Sequence, residues 1–105
     1  MEKRYSQMTK EELTEEIAEL KVKAQKAEQM GMVNEYAVHE RKMTMAKAYM
    51  MDPEEFNVGA TYDIIGSSGE TFTIAYMNGI FAWGKRNDNR EEEALPISLL
   101  GDKQE

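Results

Sequence analysis

Residues 70–84 read ETFTIAYMNGIFAWG, and the fold turns on them. Two runs rich in aromatic and β-branched residues flank Asn78-Gly79, the strongest short hairpin signal a sequence can carry. The pattern predicts a strand from Glu70 to Met77 with Phe72, Ile74 and Tyr76 on one face. Read as a two-residue type I′ turn, Asn78-Gly79 pairs Met77 with Ile80, Tyr76 with Phe81 and Ile74 with Trp83. Tyr76, Phe81, Ile74 and Trp83 then form one cross-strand cluster.

Outward from this hairpin, Ala60 to Ile65 reads as an earlier strand, joined to it by the turn Gly66-Ser67-Ser68-Gly69. A polar stretch, Lys85 to Glu93, follows. Ala94 to Leu100 is then a last short strand, in which Pro96 implies an edge or a bend. So few short strands bury a face only by curling. Residues 54–101 are therefore expected to form a small SH3-like antiparallel β-barrel, with 102–105 as a tail.

Before Pro53 the period is helical. Thr9 and Glu12 make a capping box, and Met8 with Leu13 can staple the entry. Leu13, Ile17, Leu20, Ala24 and Ala27 then recur as a narrow apolar stripe to about Met30. Glutamates fill the first half of this helix and lysines the second, as the helix dipole favours. Gly31 is the natural C′ residue. Asn34 is a candidate N-cap for a second helix that runs to about Met51 and stops before Pro53. From Met43 to Met51 only Thr44 and Lys47 are polar, so this end is expected to lie between the first helix and the second half of the chain. The whole reads as α+β: one domain of 105 residues with an antiparallel helical hairpin over 1–53 and the barrel after it.

The composition narrows the functions open to it. Cysteine is absent, so there is no disulfide framework and no thiolate metal site, and a reducing cytoplasm is the expected location. The segment MEKRYSQMT does not read as a secretory signal, and no apolar run is long enough to span a membrane. The net charge of −7 is uneven. Residues 1–53 hold 9 Lys/Arg and 10 Asp/Glu, whereas residues 54–105 hold 4 and 10. The acidic second half repels phosphate backbones.

Candidate chemistry is sparse. His39-Glu40 is followed by Met43 rather than a second histidine, so it is read as a solvated helix face. Gly66-Ser67-Ser68-Gly69 has the spacing of a phosphate-clamping loop but no basic residue, and joins strands. Asp88, Glu91, Glu92 and Glu93 lack the alternating oxygens of a calcium loop. No catalytic set, cofactor loop or metal cluster emerges. Nine methionines gather partly at the helix ends, where they serve as core filler or as an adaptable surface. Tyr62, Phe72, Tyr76, Phe81 and Trp83 read chiefly as barrel core, with Tyr62 and Trp83 the two expected to be partly exposed.

Several stretches stand out together: Lys3-Arg4-Tyr5-Ser6-Gln7-Met8-Thr9, Ala46-Lys47-Ala48-Tyr49 and Gly59-x-x-Tyr62. Tyr76-x-Asn78-Gly79-x-Phe81-Ala82-Trp83-Gly84 and Glu93-Ala94-Leu95-Pro96-Ile97-Ser98 follow. On these residues the chain resembles the YfhH family of Gram-positive spore-formers. The resemblance implies a helical hairpin with an SH3-like barrel and a label as transcription-regulating, with no established activity or catalytic residues. The expected function is a non-enzymatic regulatory or adaptor module that binds another protein; the alternative is a transcriptional regulator that binds nucleic acid directly. The basic residues Arg41, Lys42 and Lys47 on the second helix, and Lys85, Arg86 and Arg90 after the hairpin, are the only cationic concentrations. A partner is expected in a groove between the second helix and the barrel, against Arg41, Lys42, Lys47, Lys85, Arg86 and Tyr62 or Trp83.

Overall fold

A computed structural model describes residues 3–87 and 89–104. The chain divides into two compact units, residues 1–50 and 51–105. Two helices are followed by a five-stranded antiparallel sheet, an α+β arrangement.

The first unit opens with a 3₁₀ turn, Tyr5–Gln7, then α1 (Lys10–Gln29) and α2 (Val33–Tyr49). The capping box forms as the sequence demands. Thr9 Oγ1 accepts from Glu12 N at 3.1 Å, and Glu12 Oε1 accepts from Thr9 N at 3.2 Å. At the far end, Met32 N donates to Ala27 O at 2.8 Å and Gly31 N to Glu28 O at 3.1 Å. These are the paired bonds of a Schellman motif, with Gly31 at φ +71° in the C′ position. The motif closes so tightly that α2 starts at once. Its N-cap is Met32, without a side-chain cap, and Asn34 lies inside the helix rather than capping it. Leu13, Leu20, Ala24 and Ala27 of α1 are buried with Met43, Ala46 and Ala48 of α2, while Ile17 is half-buried. Leu20, Ala24 and Met43 form one cluster with Tyr36 against it. Met30 and Met32 at the hairpin tip are exposed.

The second unit contains β1 (Thr61–Ile64), β2 (Thr71–Asn78), β3 (Phe81–Arg86), β4 (Glu93–Pro96) and β5 (Leu100–Lys103). The sheet runs in the order β4-β3-β2-β1-β5 and is not closed by hydrogen bonds between its edge strands. Its core is Tyr62, Ile64, Phe72, Ile74, Ile80, Ala82, Leu95, Ile97 and Leu100.

The hairpin is real, but its turn is centred one residue later than in the type I′ reading, so the partners of Met77 and Tyr76 lie two residues further along the chain. Asn78 pairs with Phe81, Met77 with Ala82 and Tyr76 with Trp83. The central residues are thus Gly79 and Ile80. Gly79 has φ +59°, whereas Asn78 and Ile80 have negative φ. That is a type II′ pattern, which needs a positive φ only at its first central residue and spares Asn78 the cost of one. A bulge between Ile74 and Tyr76 resets the alternation, so Ile74 pairs with Gly84 rather than Trp83. Phe72 and Ile74 point inward, and Tyr76 is 45% exposed. The expected cluster of Tyr76, Phe81, Ile74 and Trp83 therefore splits between the two faces.

The expected last strand, Ala94 to Leu100, is two strands with a 3₁₀ turn, Ile97–Leu99, between them. Pro96 has no amide proton to continue a ladder, and the turn sinks Ile97 fully into the core. β5 then returns to β1, pairing Leu100 with Ile64 and Lys103 with Tyr62. Gln104 N donates to Thr61 O at 2.7 Å, and the Gln104 side chain donates to Asp63. Asp102 and Lys103 of the expected tail are thus part of the sheet and Gln104 is hydrogen-bonded to it, while Glu105 lies outside the described residues.

Candidate functional site: a basic groove and an aromatic pair

The N-terminal segment of the first unit is held by two bonds one helical turn apart. Lys3 Nζ sits 3.0 Å from Glu12 Oε2, and Tyr5 donates its hydroxyl to Glu16 Oε2 at 3.0 Å. Lys3 holds the Glu12 carboxyl below its ordinary range, with the Thr9 amide adding to the effect. The segment packs on α2 as well. Between the 3₁₀ turn and α2 lies an open groove of about 480 Å³, lined by Arg4, Tyr5, Arg41, Lys42, Met45 and Tyr49. Arg41, Met45 and Tyr49 share a helix face because they are spaced four residues apart. The groove lining holds three cations and no carboxylate. Among the described residues none of Arg4, Arg41 and Lys42 has an acidic partner within 4.0 Å.

A second cleft, of about 550 Å³, adjoins it and shares Arg4, Tyr5 and Lys42. It adds Lys23 and His39, with Glu16 and Glu19 on its α1 side. His39 differs from the solvated residue the sequence suggests. It is half-buried, and its Nδ1 is buried without a hydrogen-bond partner among the described residues.

The predicted partner-binding residues separate by unit. Arg41, Lys42 and Lys47 are exposed on α2, and the first two line the basic groove. Tyr62 is only 4% exposed. Its hydroxyl accepts from Asn57 N at 2.8 Å and its ring sits 5.5 Å from that of Phe56, so it is core rather than contact surface. Lys85 is exposed on β3. Arg86 is half-buried and already engaged, 3.4 Å from Glu70 and 3.1 Å from Glu93. The hydrogen bond to Glu93 raises its pKa most, and Glu70 adds to it. Arg86 ties strand ends together and is no free cation. Arg90 is exposed in the loop.

Trp83 is half-buried on β3 and lies parallel to Tyr76, ring centroids 5.8 Å apart and planes 3° apart. Tyr76 donates to Glu92 Oε1 at 3.4 Å. Partial burial, and then the negative charge of Glu92, lift the phenol above the usual tyrosine range. Of the acidic run, Glu92 meets Tyr76 and Glu93 meets Arg86, while Asp88 lies outside the described residues. No helix among the described residues is long and apolar enough to cross a membrane.

Sequence reasoning missed Arg4, Tyr5 and Tyr49 as groove residues. All three fall in stretches that carry the family resemblance, which is a signal, but their convergence depends on contacts some forty residues apart in the chain.

A helical hairpin with a basic groove, joined to an antiparallel five-stranded sheet, defines a small two-unit α+β protein. Residues 3–101 match the family described as "Protein of unknown function (DUF1811)". The chain is 58% identical over 105 residues to "Uncharacterized protein YfhH" of Bacillus subtilis (strain 168), covering 99% of this chain and 100% of that protein. The chain belongs to this family, the YfhH family.

Proposed function

We propose that the protein is a cytoplasmic, non-enzymatic adaptor or regulatory module, and that its basic groove takes an acidic segment of another protein. The observation that carries this is the trio Arg4, Arg41 and Lys42, unpaired among the described residues, around a groove floored by Tyr5, Met45 and Tyr49. Cations beside aromatic and thioether surface suit a peptide that offers carboxylates and an apolar anchor. A groove of this volume holds a few side chains, and its openness fits a segment of chain better than an enclosed small molecule.

An SH3-like barrel is the fold reading for the second unit. Its supports are a meander from β1 to β4, a 3₁₀ turn before β5, and the return of β5 to β1. Small barrels of this kind are scaffolds for binding sites, and fold alone does not choose the ligand.

The test is affinity capture by the full chain, with and without nuclease, against the variant Arg4→Glu, Arg41→Glu, Lys42→Glu. These groups are exposed and unpaired, so the variant should stay folded, as circular dichroism would show. Capture of a protein that survives nuclease and is lost in the folded variant is the expected result. Capture that nuclease abolishes would favour the transcriptional, nucleic-acid-binding reading instead. A folded variant that retains every partner would place the site elsewhere.

A further inference from the structure

The outer face of β2 and β3 carries a second feature, independent of the basic groove and of opposite charge. The bulge between Ile74 and Tyr76 turns Tyr76 outward, where it pairs with Trp83 across the strands and stacks on it. Without the bulge Tyr76 would follow Phe72 and Ile74 into the core. Glu92 stands at the tyrosine hydroxyl, and Glu91 beside it is exposed. Residues 54–105 carry 10 acidic side chains against 4 basic ones. Arg86, one of those four, is neutralised by Glu70 and Glu93.

We propose that the Tyr76–Trp83 stack, with Glu92 at its rim, is a binding site for an arginine or lysine side chain of a cationic protein segment. Aromatic faces attract cations through the negative potential over the ring, and a fixed carboxylate at the edge adds direct attraction. The same stack could in principle receive nucleic-acid bases. Charge decides between the two. A phosphate backbone reaching Trp83 must approach Glu91 and Glu92 on a strongly acidic unit, whereas a cationic segment is drawn to them. Lys85, exposed on the same strand, and Arg90, exposed just before Glu91, oppose this attraction, but the unit as a whole stays acidic. Among the described residues no cation lies over either ring.

Trp83 is the only tryptophan in the chain, so its fluorescence reports this site alone. The experiment titrates a hexa-arginine peptide, and separately an oligothymidine, into the full chain at low salt. The expected result is a saturable change in Trp83 emission with the peptide and none with the oligothymidine. Tyr76→Leu removes the partner ring and should weaken peptide binding roughly fivefold. Glu92→Gln keeps the side-chain shape at an exposed position and should weaken it roughly threefold, which covers the case in which Tyr76→Leu disturbs the strand. No emission change with the peptide, or equal peptide affinity in the parent and both variants, would overturn the proposal. So would a saturable response to oligothymidine alone.

Discussion

Gly84 shows how far one residue can be constrained by its neighbour's backbone. It lies on β3 opposite the bulge, and a Cβ there would collide with the Thr73 carbonyl and come within 3.1 Å of Ala75 N. Neither obstacle is a flexible side-chain end, so the strand itself must move. Gly84→Ala is expected to destabilise by about 3 kcal/mol, read as a lower denaturation midpoint at unchanged slope. Gly101→Ala is the control, since its Cβ would meet only ordinary contacts at 3.5 Å, and it should cost less than about 1 kcal/mol. Glu12 makes a different residue-scale prediction. Its folded pKa lies below the ordinary value, chiefly through Lys3. Its contribution is therefore present above the unfolded carboxylate range and is lost as pH falls through its own lowered value. Glu12→Gln retains the capping hydrogen bond but cannot titrate. The acid limb of a stability–pH curve should be flatter in that variant than in the parent.

At the scale of elements, charges that look alike in sequence differ by what their strand or helix puts beside them. Arg41 lies on an exposed helix face, and Arg41→Glu should change stability by less than about 0.5 kcal/mol. Arg86 sits at a strand end between Glu70 and Glu93. Arg86→Glu breaks two partly screened ion pairs and sets three carboxylates together, for an expected loss of about 1–2 kcal/mol. Thermal melts of the two variants side by side check the ordering. If Arg86→Glu proves as mild as Arg41→Glu, the strand-end clamp contributes nothing. The capping box and the Gly31 stop were legible because each is a local pattern whose hydrogen bonds close within six residues. The hairpin was legible, but not its register. Asn78-Gly79 and Gly79-Ile80 both satisfy a two-residue turn, and the bulge at Ala75 leaves no mark in the local alternation.

Over the whole chain, charge is divided between a nearly balanced first half and an acidic second half. Binding to DNA or RNA is therefore expected to be weak, nonspecific and steeply reduced by salt, because the acidic second half opposes a phosphate backbone and what affinity remains comes from counterion release. Fluorescence anisotropy with a labelled duplex between 50 and 200 mM salt, a range over which phosphate-driven affinity falls by roughly 10³-fold or more when several phosphates are contacted, is the check. Tight, sequence-selective binding at physiological salt would contradict it.

The sequence by itself determined the helical hairpin, the strand-rich second half, the presence of a β-hairpin at Asn78-Gly79 though not its register, and the family, since all rest on periodicity, capping or turn chemistry, or matched residues along the chain. Tertiary structure alone decided which side chains meet. It brought Arg4 and Tyr5 to Arg41 and Tyr49, buried Tyr62 with its hydroxyl accepting a hydrogen bond from the Asn57 backbone N–H, occupied Arg86 with two glutamates, and turned Tyr76 outward onto Trp83. It also drew Asp102 and Lys103 into the sheet, although Gly101 and Asp102 are poor strand formers. The physical reason is common to all of these. Local propensity is set by a residue and its near neighbours, whereas a binding surface depends on pairings tens of residues apart, which no short-range pattern records.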